Sequence, residues 1–157
     1  MTTTSVFDVA AFILQKMEEI TCMKLQKLVY YCQAWSLVWD EAPLFKESIE
    51  AWINGPVVRE LYEAHRGKFK LQRGDISGNP DNLSAPQRDT ITAVLRDYGH
   101  HSSQWLSDLT HSELPWREAR VGLRYDERGN RTISLDSLVE YYGMLYSEGV
   151  DLSPGND

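Results

Sequence analysis

No run of apolar residues in this chain approaches the roughly 20 that a helix needs to cross a bilayer, which excludes a helical membrane span. The apolar stretch from Val6 to Ile20 has no basic region before it and carries Asp8, Lys16, Glu18 and Glu19. It does not read as a secretory leader, and the cytoplasm is the expected location. Cysteine is scarce. Cys22 and Cys32 fall on one expected helix, about 15 Å apart along its axis at ~1.5 Å per residue, whereas a disulfide needs Cα atoms within about 7 Å. Two free, buried thiols are expected. There is no Gly-rich phosphate loop, no Gly-x-Ser-x-Gly elbow and no Cys/His set at zinc spacing. Basic charge is in the minority, 16 residues against 23 acidic ones for a net charge of −7. Such a surface repels phosphate, so direct nucleic-acid binding is not expected. Lys68, Lys70 and Arg73, and the series Arg117, Arg120, Arg124, Arg128 and Arg131, read as solvated loop and helix surface.

What is present is a helical pattern. The 157 residues suit one domain, taken as residues 1–150 with a frayed tail over 151–157. The fold class is mainly α: a single helical domain around a buried central helix, with a short extended element near residues 48–53. Val6, Val9, Ala10, Ile13, Met17 and Ile20 recur at helical steps behind a Ser5 cap. Thr21 caps a second helix from Cys22 to Trp39 that is apolar almost all round. Lys24, Lys27, Tyr31 and Ala34 leave it only a narrow strip to face water, so neighbours must cover several of its sides. Ser48 to Ile53 alternates as a strand does. Asn54-Gly55-Pro56 then breaks the chain, and Pro56 suits the first position of a helix running from Val57 to about His65. Residues 68–83 read as a surface loop with a short extended piece near Phe69–Leu71. Ser84-x-x-Gln87 and Thr110-x-x-Glu113 both have the form of capping boxes. Ser134 caps a last helix with Leu135, Leu138, Val139, Tyr142, Leu145 and Tyr146 on its inner stripe, after a polar loop over Asp126–Thr132.

Constellations that could carry chemistry are few. His100, His101 and His111 have no nearby cysteine and read as a polar helix junction, not as a metal site. The acidic pairs Glu18-Glu19 and Asp126-Glu127 fit solvated faces, without the desolvation that tunes a general acid. The aromatic set says more. Trp35 and Trp105 read as core, while Trp52 and Trp116, beside proline breaks, suit either corner posts or exposed interface anchors.

Three blocks in order resemble the Panacea family, the SocA-like antitoxin domain. The first is Lys24-Leu-Gln-Lys-Leu-Val-Tyr-Tyr31 with Trp35. The second is Pro43-Leu-Phe45 and Ile49-Glu-Ala-Trp-Ile-Asn-Gly-Pro-Val-Val58 with Leu61-Tyr62. The third is Leu109-Thr-His-Ser-Glu-Leu-Pro-Trp116. The resemblance implies a mostly helical, phage-associated antitoxin that neutralises a cognate protein toxin, encoded nearby, by binding it. It implies no enzyme activity, cofactor or metal. The alternatives are an adaptor that delivers a client to a bacterial protease, or an uncharacterised prophage-encoded enzyme. Some relatives carry an added DNA-binding domain, which is not expected in this chain. The signature positions Lys24, Lys27, Tyr30, Tyr31, Trp52, Gly55, Pro56, Thr110, His111, Pro115 and Trp116 are the candidate family or partner-binding residues. Gly55 is expected to supply backbone freedom and Thr110 to cap a helix. Ile53-Asn54 departs from relatives that carry an aromatic or basic residue before the Gly-Pro.

Overall fold

A computed structural model describes residues 4–149; the expected frayed tail lies outside them. Ser5 and Thr21 set the first two helices. The Ser5 hydroxyl accepts from the Asp8 amide while the Asp8 carboxylate returns a bond to the Ser5 amide, a reciprocal cap that starts α1 (Val6–Lys16). α1 stops at Lys16, before the expected end at Ile20, because the chain turns extended there. Ile20–Thr21 forms β1, paired antiparallel with β4 (Lys70–Leu71). Thr21 then caps α2 (Cys22–Trp39) by accepting from the Lys24 amide.

The chain is mainly helical but not all-α. Beyond α2 come β2 (Ile49–Trp52), β3 (Gly55–Val58) and α3 (Arg59–His65). After β4 and a 3-10 turn at Pro80–Asn82 come α4 (Ala85–Tyr98), α5 (Ser103–Ser112), α6 (Leu114–Ala119), β5 (Arg131–Ile133) and α7 (Leu135–Ser147). β2 is the middle strand of an antiparallel sheet in the order β3-β2-β5, with Ala51 opposite Pro56 on one side and Arg131 on the other. Two expectations fail here. Pro56 does not open a helix; it sits in an edge strand, where its missing N–H is harmless. The polar loop after Asp126 ends in a third strand, because β2 still has a free edge that Arg131–Ile133 can pair.

α2 packs against α1, α4, α5, α7 and β3. Its strip expected to face water is covered: Lys27, Tyr31 and Ala34 are at most 1% exposed, and only Lys24 is partly open. α7 departs in the opposite sense. Leu138 and Tyr142 are fully buried, whereas Leu135, Val139 and Tyr146 are exposed. Leu135 and Tyr146 fall in the terminal turns, and Val139 lies roughly 60° round from Tyr142 at ~100° per residue. Only the middle of the helix faces inward. Trp105, expected in the core, is 43% exposed and stacks on the His101 ring with centroids 3.5 Å apart. Trp35 is fully buried as expected. Both cysteines are free and buried.

Candidate functional site

Most of the candidate residues converge on the hairpin β2–β3, whose loop is Ile53-Asn54. A short hairpin leaves backbone carbonyls that must find partners once covered by other elements. Here side chains from three helices and the turn after α6 supply them. Arg120 Nη1 donates to the Ala51 carbonyl at 3.1 Å and Trp116 Nε1 to that of Trp52 at 2.7 Å. His111 Nε2 donates to the Ile53 carbonyl at 3.1 Å and Ser107 Oγ to that of Asn54 at 2.7 Å. Lys27 Nζ donates to the Pro56 carbonyl at 3.1 Å. Gln26 brackets Val58, accepting from its amide at 2.9 Å and donating to its carbonyl at 3.3 Å. The hairpin is thus clamped by α2, α5 and α6.

Gly55 sits where the clamp is tightest. Its φ is +120°, and a Cβ there would lie 2.5 Å from Lys27 Cε and 3.1 Å from Thr110 Oγ1. Glycine is required for both backbone and space. Thr110 does not cap a helix as expected. It lies within α5, fully buried, and its hydroxyl donates to the Ser107 carbonyl at 2.7 Å. Pro115 occupies the first turn of α6, where its missing N–H is tolerated.

Two buried ionisable groups stand on this frame. Burial lowers the Lys27 amine to about 7. Glu113, expected to complete a capping box, instead turns inward: no side-chain cap bond forms at the start of α6. Its Oε1 accepts from Tyr31 at 2.6 Å and from Tyr142 at 2.8 Å. Burial raises its carboxyl to about 7, and the two tyrosine bonds oppose that rise. Tyr30 meets the Tyr142 hydroxyl at 3.0 Å, and Tyr31 stacks on Tyr98 with centroids 4.2 Å apart. Burial pushes the Tyr30, Tyr31 and Tyr142 hydroxyls well up, so they act as neutral donors. Burial also lowers His65 and His111. His65 Nε2 accepts from Gln26, and His111 Nε2 must carry its proton to reach a carbonyl.

Apart from Pro115 in the first turn of α6, the candidate residues fall into three groups. Lys27, Gly55, Pro56, Thr110, His111 and Trp116 belong to the clamp. Tyr30 and Tyr31 belong to the Glu113 network. Trp52 is half-buried, with its indole nitrogen donating to Glu50 at 2.8 Å, and Lys24 stands partly open on α2. The two tryptophans left open between corner post and anchor divide: Trp116 is buried, while Trp52 keeps part of its ring on the surface. Lys27 and Glu113, whose pKa values fall near neutrality, are both buried. Among the described residues no group of three or more His, Cys, Asp or Glu could hold a metal ion, and no helix is long and apolar enough to cross a membrane.

Gln26, Gln33 and Ser107 were given no role by the sequence, Glu113 only that of a capping residue and Arg120 only that of solvated surface. Gln33 holds the chain after α2 by donating to the Phe45 carbonyl and accepting from the Leu44 amide. The available signal was that Gln26, Lys27 and Gln33 interrupt a helix otherwise apolar all round; a polar residue at such a position needs a dedicated partner. Arg120, read as solvated surface, is buried and also donates to the carbonyls of Arg124 and Glu127.

The model of the family described as "Antitoxin SocA-like, Panacea domain" matches residues 25–117, more than half of the chain. The chain belongs to this family. The matched span of this SocA-like domain begins in α2 and ends in α6, so it takes in the hairpin and most of the side chains that clamp it. Comparison with curated proteins and with solved structures gives no match.

Proposed function

We propose that the protein is the antitoxin of a toxin–antitoxin pair and that it neutralises its cognate toxin, encoded nearby, by direct protein–protein binding. Membership of the SocA-like antitoxin family carries this reading. The structure supports it physically. The buried ionisable groups are spent on holding a hairpin and a helix junction, and what the molecule offers outward is a fixed surface bearing part of Trp52. A preformed surface of this kind binds without large ordering losses. A specific interface would bury about 1,200–2,000 Å² in total and would act by covering the toxin's working face. The protein would then work stoichiometrically in the cytoplasm, without turnover, cofactor or nucleic acid.

Titration of the purified protein into the product of the neighbouring gene tests this. Toxin activity should fall linearly and vanish at a fixed molar ratio. A toxin that stays fully active while bound would overturn occlusion in favour of delivery to a protease. Inhibition at far below equal amounts would indicate an enzyme.

A further inference from the structure

Two clefts flank the rings of Trp52 and Tyr62, which meet edge to face with centroids 4.9 Å apart. The first, about 360 Å³, lies between the start of α2, the hairpin tip and the end of α3, with Met23 and Val57 among its walls and Arg66 and Lys68 among its lining residues. The second, about 530 Å³, lies across the Trp52–Tyr62 ridge and is lined in part by Arg59 and Arg128. Neither lining contains an Asp or a Glu, although acidic residues outnumber basic ones by 23 to 16 in the chain. Lys27 also lines the first cleft, its buried amine bonded to a carbonyl oxygen, not to a carboxylate. Carboxylates meet the cleft cations only from outside the linings: Glu63 to Arg66 at 3.7 Å, Asp75 to Lys68 at 3.9 Å and Glu50 to Arg59 at 3.0 Å. The Arg66 and Lys68 pairs are long and solvated, and such pairs are weak and exchange readily for a better-placed carboxylate. Arg59 is held more firmly, bidentate to a largely buried Glu50 that also accepts from the Trp52 indole. Among the described residues this leaves Arg128 as the free cation of its cleft.

The two clefts share Trp52, Ile53 and Tyr62, so they form one surface longer than a single small anion would occupy. An extended chain advances about 3.3 Å per residue and alternates its side chains, which suits a groove with cations at both ends and aromatic rings between them. We propose that this paired cleft is the docking groove for an acidic peptide segment of the toxin, with carboxylates directed to Arg66 and Lys68 on one side and Arg128 on the other, and an apolar side chain packed on the Trp52–Tyr62 ridge. The proposal rests on the antitoxin reading for the partner's identity; the chemistry of the groove stands on the linings. The net charge of −7 disfavours a nucleic-acid strand as the occupant.

The test has two arms. In the first, the neighbouring gene's product is bound to wild type, to Arg66→Glu/Lys68→Glu and to Lys46→Glu/Arg117→Glu, which makes the same charge change at exposed positions outside both linings. The cleft pair should raise Kd about tenfold or more, and the control pair should change it by less than about threefold. Wild-type affinity in the cleft pair, or equal losses in both pairs, overturns the groove while leaving the antitoxin reading intact. The second arm does not need the toxin. ¹⁵N-labelled protein is titrated with acetyl-Glu-Leu-Glu-Trp-Asp-amide, with its Lys-substituted counterpart and with a short oligo-dT. Shifts at the Trp52 indole and at the Asn54, Tyr62 and Gly67 amides with the acidic peptide alone support the groove, even if the toxin fails to bind and the antitoxin reading falls. No shifts there, equal shifts with the basic peptide, or preference for oligo-dT would remove it.

Discussion

Lys27 and Glu113 are both sealed in the interior, and each stands without an opposite charge in contact. Lys27 is bonded to one carbonyl of the hairpin, and Glu113 to two tyrosine hydroxyls at the junction of α5 and α6. Lys27 lies one turn from Tyr31 on α2, so a single helix serves both sites. Burial moves the two groups in opposite directions to the same region, about 7. The contrast shows two ways to keep an ionisable group inside a fold. One lets a backbone oxygen hold an amine; the other lets neutral hydroxyls share a carboxylate. Neither amounts to a buried ion pair, in which Coulombic attraction works against the desolvation cost. Both groups therefore hold their pole of the fold at a cost that depends on pH.

Removing the Glu113 side chain is expected to give the largest loss. Glu113→Ala leaves the buried Tyr31 hydroxyl without its acceptor and opens a void beside Tyr142. Chemical denaturation should show a loss of about 2–4 kcal/mol. Glu113→Gln keeps an oxygen in place and should lose about 1 kcal/mol or less near neutral pH. Equal losses in the two variants would mean that the tyrosines do not depend on this acceptor. At the opposite pole, Gly55→Ala forces a Cβ onto Lys27 at an unfavourable φ. The expected loss is about 2–3 kcal/mol, and a wild-type melting temperature would show that the clamp yields.

The pH dependence separates the two groups. The Glu113 carboxyl is raised from 4.5 to about 7, so the native state holds an extra proton between those values. Its contribution is greatest below 4.5 and declines as pH rises through 7. The stability of wild type minus that of Glu113→Gln should therefore fall between pH 4.5 and 7 and then level off. The Lys27 amine is lowered from 10.5 to about 7, so the unfolded state holds the extra proton in that interval. The stability of wild type minus that of Lys27→Met should be lowest below pH 7 and rise toward 10.5. At about 1.4 kcal/mol per pKa unit, the Glu113 curve should span up to about 3 kcal/mol and the Lys27 curve up to about 5 kcal/mol. Two flat difference curves would place both groups in contact with water.

The sequence carried the helices well because their signals are local. Ser5, Thr21, Ser84 and Ser134 all cap the helices expected of them. It misplaced Pro56, Thr110 and Glu113 because each is governed by a partner that residue type and spacing do not reveal. Pro56 is paired with Ala51 in a strand, and Glu113 faces a tyrosine 82 positions before it. Thr110-x-x-Glu113 has the spacing of a capping box, yet α5 runs through Thr110, whose hydroxyl turns back to the Ser107 carbonyl, and two distant tyrosines claim Glu113; spacing alone cannot register that competition. The same reason explains why the signature residues were legible as a set but not in their roles. Their order along the chain marks the family, whereas the clamp exists only once α2, α5 and α6 close around the hairpin. The exposed stripe of α7 was lost for a simpler reason. A sequence stripe gives an angular direction, but not how far the neighbouring helix extends beneath it.

The smallest predicted effect discriminates within the Glu113 pole itself. Tyr142 spends its proton on Glu113, so the Tyr30 hydroxyl must donate to the Tyr142 oxygen at 3.0 Å. Tyr30→Phe removes that outer link between neutral groups and leaves both bonds to the carboxylate in place. Its loss should be below about 1 kcal/mol. Tyr31→Phe removes a donor to the carboxylate itself, a charge-assisted bond when Glu113 is ionised, and should lose about 1–2 kcal/mol at pH 8. That bond also holds the carboxyl down, so its removal should raise the Glu113 midpoint further, whereas Tyr30→Phe should leave it nearly unmoved. Urea midpoints measured at pH 5 and pH 8 would reveal the difference: the Tyr31→Phe loss should grow with pH and the Tyr30→Phe loss should not. Parallel behaviour would mean that the three tyrosines share the carboxylate as one delocalised network, not as an inner pair and an outer link.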